Sequence, residues 1–165
     1  MALVTLTPKQ VLNARNVAYK KAMECEAGKM KNRYNVPVAS TSYDRHLKGC
    51  YGEQAVAAYL GVEWGFTAYD PKANDVAGYE VRATYHANGR LLTHAEDKNG
   101  LYILAIIDRD TYTVNLAGWS NLKRCNTVGR WATDLPMACY AMPQAELWPM
   151  EMLPATVLYA SAINN

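Results

Sequence analysis

Leu101-Tyr102-Ile103-Leu104-Ala105-Ile106-Ile107 is an unbroken apolar run with turn signals on both sides: Asp97-Lys98-Asn99-Gly100 before it and Asp108 to Asp110 after it. Such a run reads as a central strand buried on both faces. The segments around it have period two. Tyr79, Val81, Ala83 and Tyr85 alternate with Glu80, Arg82 and Thr84, which predicts a strand with one apolar and one polar face. His86-Ala87-Asn88-Gly89 carries the Asn-Gly signal of a hairpin, with Leu91 to His94 as the returning strand. Tyr112 to Trp119 predicts one strand more. After Asn121, Pro136, Pro143, Pro149 and Pro154 break the chain into short pieces, a loop-rich tail.

Before residue 65 the pattern is helical. Thr7-Pro8-Lys9-Gln10 offers an N-cap, a first-turn proline and the glutamine of a capping box. Val11, Ala14, Ala18, Ala22 and Cys25 recur near the helical period, and the helix fades near Gly28 to Met30. Lys31 to Ser42 reads as a connector. A second helix is predicted from about Tyr43 to Leu60, ended by Gly61 as a C′ glycine. Gly49 and Gly52 inside it cost about 1 kcal/mol each relative to alanine, which suggests a close backbone approach or a bend. Two helices, then a strand meander, predict an α+β chain of a single compact domain, with a basic helix and connector over 1–40 and a core over 41–165.

The 165 residues are 50% apolar and 19% charged, as in soluble globular chains, and contain no run of about 18 apolar residues, so no membrane span is expected. Met1 to Thr7 lacks the basic start of a secretory signal, and a cytoplasmic setting is expected. Cys25, Cys50, Cys125 and Cys139 are widely spaced, which disfavours a zinc site or a disulfide framework. Residues 1–50 carry nine Lys/Arg against three acids, a net +6, whereas the remaining 115 carry eight against twelve, a net −4. A basic arm of this kind suits a phosphate-bearing partner, with a solvated helix face as the plain alternative.

Four residues stand out chemically. Glu53 lies in the second helix, Asp75 precedes the alternating strand, and Glu80 and Arg82 lie on its polar face. A tight turn or bulge at Ala77-Gly78 would swing Asp75 alongside Glu80. Two carboxylates with a backbone carbonyl form a hard oxygen site for Mg²⁺. The alternative is that Glu80 and Arg82 form the solvated face of an edge strand. His46 projects from the same helix face as Glu53, seven residues away. His86 and His94 flank the Asn-Gly turn without ligand spacing. Cys50 reads as a small packed residue, the four tryptophans as packing anchors, and the twelve tyrosines as stacking or interface residues.

The stretch Lys48-Gly49-Cys50-Tyr51-Gly52-Glu53-Gln54-Ala55-Val56-Ala57-Ala58-Tyr59-Leu60-Gly61 resembles the opening helix of many PD-(D/E)xK nuclease-like proteins. Asp75 followed by Glu80-Val81-Arg82 resembles that superfamily's D-(gap)-E-x-K motif. Asn74 to Thr84, Asn88 to Leu92 and Gly118-Trp119 are similar to small proteins encoded by bacteriophages. The resemblance spans about residues 45–120. It implies a restriction-endonuclease-like mixed sheet flanked by helices, with the N-terminal helix as an addition. It implies Asp75 and Glu80 as the principal ligands of Mg²⁺ or Mn²⁺, the Val81 carbonyl as a further ligand, and Glu53 as the helix acid. Arg82 stands where the superfamily has lysine, a compact ammonium that arginine does not replace closely.

The function expected is metal-dependent hydrolysis of phosphodiester bonds in DNA, with catalysis by Glu53, Asp75, Glu80 and Arg82. Lys9, Arg15, Lys20, Lys21 and Lys48 are the expected backbone contacts. The alternative is a catalytically inactive nuclease-fold protein that binds nucleic acid or a host defence protein, in the bacterial host cell if the chain is phage-encoded.

Overall fold

The computed structural model describes residues 2–27, 41–65, 73–135 and 137–155. The elements are β1 (Ala2–Thr5), α1 (Pro8–Glu26), α2 (Thr41–Leu60), β2 (Tyr79–Thr84), β3 (Leu91–Thr93), β4 (Leu101–Asp108), β5 (Thr113–Asn121), α3 (Leu122–Val128), β6 (Arg130–Ala132) and β7 (Cys139–Met142), with short 3₁₀ turns at Gln144–Glu146 and Met150–Met152. The connector expected over 31–40 lies outside the described residues, as does Asp70-Pro71-Lys72.

Both helix signals work as the residues dictate. Thr7 caps α1: its Oγ1 accepts from the Gln10 amide at 3.3 Å, and Gln10 Oε1 accepts from the Thr7 amide at 2.9 Å. Gly61 ends α2 at φ 68°. Its amide donates to Ala58 O and the Val62 amide to Ala57 O, so two terminal carbonyls of the helix are satisfied.

A mixed four-stranded sheet runs in the order β1-β5-β4-β2. β2 and β4 are parallel, and the other two pairings are antiparallel. α1 and α2 cover one face, where Val56 and Ala57 meet Ile103, Ala105, Val114 and Leu116. The other face is covered by α3 and by a small antiparallel sheet, β3-β7-β6, over Leu91, Tyr102, Leu104, Cys125 and Met142. Alternate side chains of β4 thus enter different cores, which is why its sequence is a continuous apolar run.

Three sequence expectations are corrected. The His86 to Gly89 turn forms, with the Gly89 amide on His86 O at 2.8 Å, but its flanking strands do not pair. β2 pairs with β4, and β3 leaves for the small sheet to pair with β7. The tail is not merely loops, because α3, β6 and β7 lie in it. The N-terminal part is no appendage: β1 pairs with β5, and Val11, Ala14, Val17 and Ala18 of α1 belong to the main core. No helix among the described residues is long and apolar enough to cross a membrane.

α2 sits unusually near the sheet at Gly52. A Cβ there would stand 3.0 Å from Ala83 Cβ and 3.2 Å from both Ala105 Cβ and Val81 Cγ1. Gly49 has no such neighbour: its Cβ would meet only Glu53 Oε1, at 3.6 Å.

Candidate functional site

The site begins with a two-residue reversal. Val76 and Tyr79 form an isolated antiparallel bridge, with the Tyr79 amide on Val76 O at 2.8 Å and the Val76 amide on Tyr79 O at 3.1 Å. Between them Ala77 has φ 49° and Gly78 φ 91°, the left-handed pair of a tight hairpin turn. Glycine adopts this readily, whereas Ala77 does so at a cost of about 1–2 kcal/mol. The reversal lays Asp75 against the start of β2, where its Oδ2 accepts from the Val81 amide at 2.8 Å. The bend expected at Ala77-Gly78 is present, and Val81 meets Asp75 through its amide.

Glu80 is buried, with 7% of its surface exposed, so it is no solvated edge residue. Lys98, from the turn before β4, places Nζ 2.7 Å from Glu80 Oε1 and also donates to the Ala73 carbonyl. Burial pushes the Glu80 carboxyl above the ordinary range and the charge of Asp75 adds to this, while Lys98 and Arg82 oppose it.

Glu53 approaches from α2. Lys21 Nζ lies 3.1 Å from each of its oxygens, and Trp64 Nε1 donates to Oε2 at 3.1 Å. Its carboxyl is also raised, by burial first, with Lys21 opposing and Asp75 reinforcing the shift. Asp75 is therefore felt by both glutamates. The glutamates themselves stand on different sides of β2: Val81 and Ala83 face α2, and alternation turns Glu80 and Arg82 the other way. Among the described residues, no three His, Cys, Asp or Glu side chains are gathered as a ready metal-ligand set.

Arg82 is committed elsewhere. Its Nη2 lies 3.0 Å from Asp97 Oδ2, and its guanidinium sits 5.1 Å from the centre of the Tyr102 ring. Asp97 also accepts from the His94 amide at 2.9 Å, and its own amide donates to His94 O. Arg82 thus clamps the turn whose next residue, Lys98, reaches Glu80.

The expected backbone contacts are scattered. Lys9 and Lys20 are exposed on α1. Arg15 donates to the Tyr51 and Tyr112 hydroxyls at 3.2 and 2.8 Å. Lys21 belongs to the Glu53 cluster. Lys48 is half-buried, with its ammonium 5.9 Å from the Tyr85 ring centre. His46 is half-buried, and its imidazole is pushed down by burial, then by Lys21 and Arg45. The Cys50 thiol is pushed up to about 12 by burial and is no nucleophile.

Reading the sequence missed Lys98, Asp97 and Trp64, and assigned Lys21 a different task. Asp97-Lys98-Asn99-Gly100 shows itself as a turn, but nothing local in it points to Arg82 or Glu80. Comparison with protein-family models, curated proteins and solved structures finds no match.

Proposed function

We propose that the chain is a metal-dependent nuclease of restriction-endonuclease-like type that hydrolyses phosphodiester bonds in DNA. The observation that supports this is the Ala77-Gly78 reversal, which lays the Asp75 carboxylate on the Val81 amide, where its charge acts on the buried carboxyl of the preceding residue, Glu80. An acid held in the field of another costs free energy unless a cation answers it. Hard oxygen donors suit Mg²⁺ or Mn²⁺, and Mg²⁺ is commonly held by one or two carboxylates while keeping several waters. Asp75 and Glu80 would hold the ion, which supplies polarisation of a phosphate oxygen and a bound water of lowered pKa.

The chain's own residues do the rest. Lys98 sets a positive charge beside Glu80, next to the developing charge on a phosphate. Arg82, through Asp97, fixes the turn that delivers Lys98. Glu53, held by Lys21 and Trp64, adds negative field at Asp75 from the helix side.

The test is incubation of purified protein with plasmid and single-stranded DNA in Mg²⁺, Mn²⁺ or EDTA. Cleavage that needs metal and disappears in Asp75→Asn and Glu80→Gln is expected. Cutting that survives both substitutions would refute the assignment.

A second reading is favoured by the ion pairs themselves. Glu53 already has Lys21, Glu80 has Lys98, and Arg82 has Asp97, so the cluster is electrically answered without a metal. Under it the chain is an inactive nuclease-fold protein that binds nucleic acid or a protein. It predicts no cleavage with any metal and no rescue by Arg82→Lys.

A further inference from the structure

The face of β2 that carries Glu80 and Arg82 leads past Thr84 into a cleft of about 390 Å³. Its walls include Lys48 of α2, Arg82 and Thr84 of β2, and His86, Asn88 and Arg90 of the following turn. Among the described residues that line it there is no acid, whereas Lys48, Arg82, Arg90 and His86 all line it. A concave wall of one sign focuses potential and favours an anion. Arg82 is held by Asp97, which leaves Lys48 and Arg90 to face an anion. Arg90 pairs with Asp134, at 3.3 Å, on a carboxylate that is 69% exposed, and such surface pairs contribute little.

The rim is also rigid. A Cβ on Gly89 would collide with Thr84 Cγ2 and stand 2.9 Å from His86 O, so the turn rests flat on β2 and requires glycine there. Gln144, from the tail, donates to the carbonyls of Ala87 and Gly89 at 2.8 and 3.0 Å. The tail therefore fixes the loop that bears His86, Asn88 and Arg90. Glu80, Arg82 and Thr84 succeed one another on one strand face, each about 7 Å beyond the last. Glu80 and the basic cleft thus follow one another along a single strand face.

We propose that this cleft is a second phosphate subsite, holding a flanking phosphodiester of the same DNA strand whose scissile phosphate sits at Asp75 and Glu80, so that the strand follows β2 rather than α1. The position of the scissile phosphate rests on the nuclease reading; phosphate recognition by the cleft does not.

The experiment measures binding of a fluorescent DNA oligonucleotide in EDTA, where no hydrolysis occurs, over a range of salt. The proteins are wild type, Lys48→Gln/Arg90→Gln, Asn88→Asp, and a helix control, Lys9→Gln/Lys20→Gln. The cleft double variant is expected to lose about tenfold or more in affinity, with a log–log salt slope shallower by about 1–2, since a protein that neutralises fewer phosphates releases fewer counterions. Asn88→Asp, which adds a negative charge in an exposed turn without removing a packed group, is expected to weaken binding as well. The helix control should bind as wild type does. Wild-type affinity in both cleft variants, or an equal loss in the helix control, overturns the proposal. A parallel melting series with inorganic phosphate separates the two sources of phosphate. Protection of wild type but not of the double variant, with DNA affinity equal in both, assigns the cleft to a free phosphate and also overturns it. DNA binding through the cleft by a protein that cuts with no metal supports the subsite and sinks the nuclease reading alone.

Discussion

Arg82 and Asp97 form a buried ion pair, 3.0 Å long, in which the carboxylate side chain is only 2% exposed. Removing one partner of such a pair leaves a charge in a poorly solvated place. Arg82→Gln is therefore expected to lower stability by about 3–5 kcal/mol. Urea denaturation checks it, and a loss under about 1 kcal/mol would show that the pair is not anchoring the turn. Arg82→Lys keeps the charge but gives up the planar contact with Tyr102, so an intermediate loss is expected.

The two glycines of α2 should respond oppositely to alanine. At Gly52 the new methyl would press on Ala83, Ala105 and Val81, groups attached directly to strands, so overpacking should outweigh the gain in helix propensity. A net loss of about 1–2 kcal/mol is expected. At Gly49 the contact is ordinary and the helix gains up to about 1 kcal/mol. Paired denaturation curves decide it; equal effects at the two positions would contradict the close approach at Gly52.

Acid should relieve the cluster. The folded-state pKa values of Glu53 and Glu80 are raised above the ordinary 4.5. A raised pKa contributes stability that is full below the unfolded value and is lost as pH rises through the folded one. Wild type is expected to lose this contribution from about pH 4.5 upward. Glu80→Gln, which cannot ionise, should show a flatter decline as pH rises above that point. An unchanged pH profile would count against the burial of this carboxylate.

Under the nuclease reading, Mg²⁺ should stabilise the folded chain at neutral pH by about 2.7 kcal/mol when present at roughly a hundred times its dissociation constant. Asp75→Asn and Glu80→Gln should lose that increment. A melting temperature that ignores Mg²⁺ and Mn²⁺ in wild type would favour the inactive reading.

Native thiols should sort by depth. Cys50, Cys125 and Cys139 are buried and Cys25 is only partly so. A maleimide at neutral pH is expected to label Cys25 first and to leave Cys50 unmodified until the chain unfolds, as mass spectrometry of digests would show.

What the sequence made legible was local or periodic. Thr7, Gly61 and the turn at Ala77-Gly78 are governed by neighbours within a few residues, and the run from Leu101 to Ile107 by burial on both faces. The departure of β3 was hidden because an Asn-Gly turn specifies a reversal but not which strand receives the returning chain. β2 instead pairs in parallel with β4, which lies beyond β3 in the chain. The site shows the same division. Asp75 and Val81 are six residues apart, and their hydrogen bond follows from the turn between them. Lys21 reaches Glu53 from 32 residues away and Arg82 reaches Asp97 across 15, and no periodicity carries such information.

The reversal at Val76 to Tyr79 also ends the sheet. β2 is the outermost strand, and two of its outward amides are occupied: Tyr79's by the Val76 carbonyl and Val81's by the Asp75 carboxylate. An open strand edge is a template for a second chain, and here a side chain closes part of it. Asp75 is therefore also a guard against self-association. Loss of its carboxylate would expose a growth point for intermolecular pairing, so the state of assembly belongs beside the activity when variants at this position are compared.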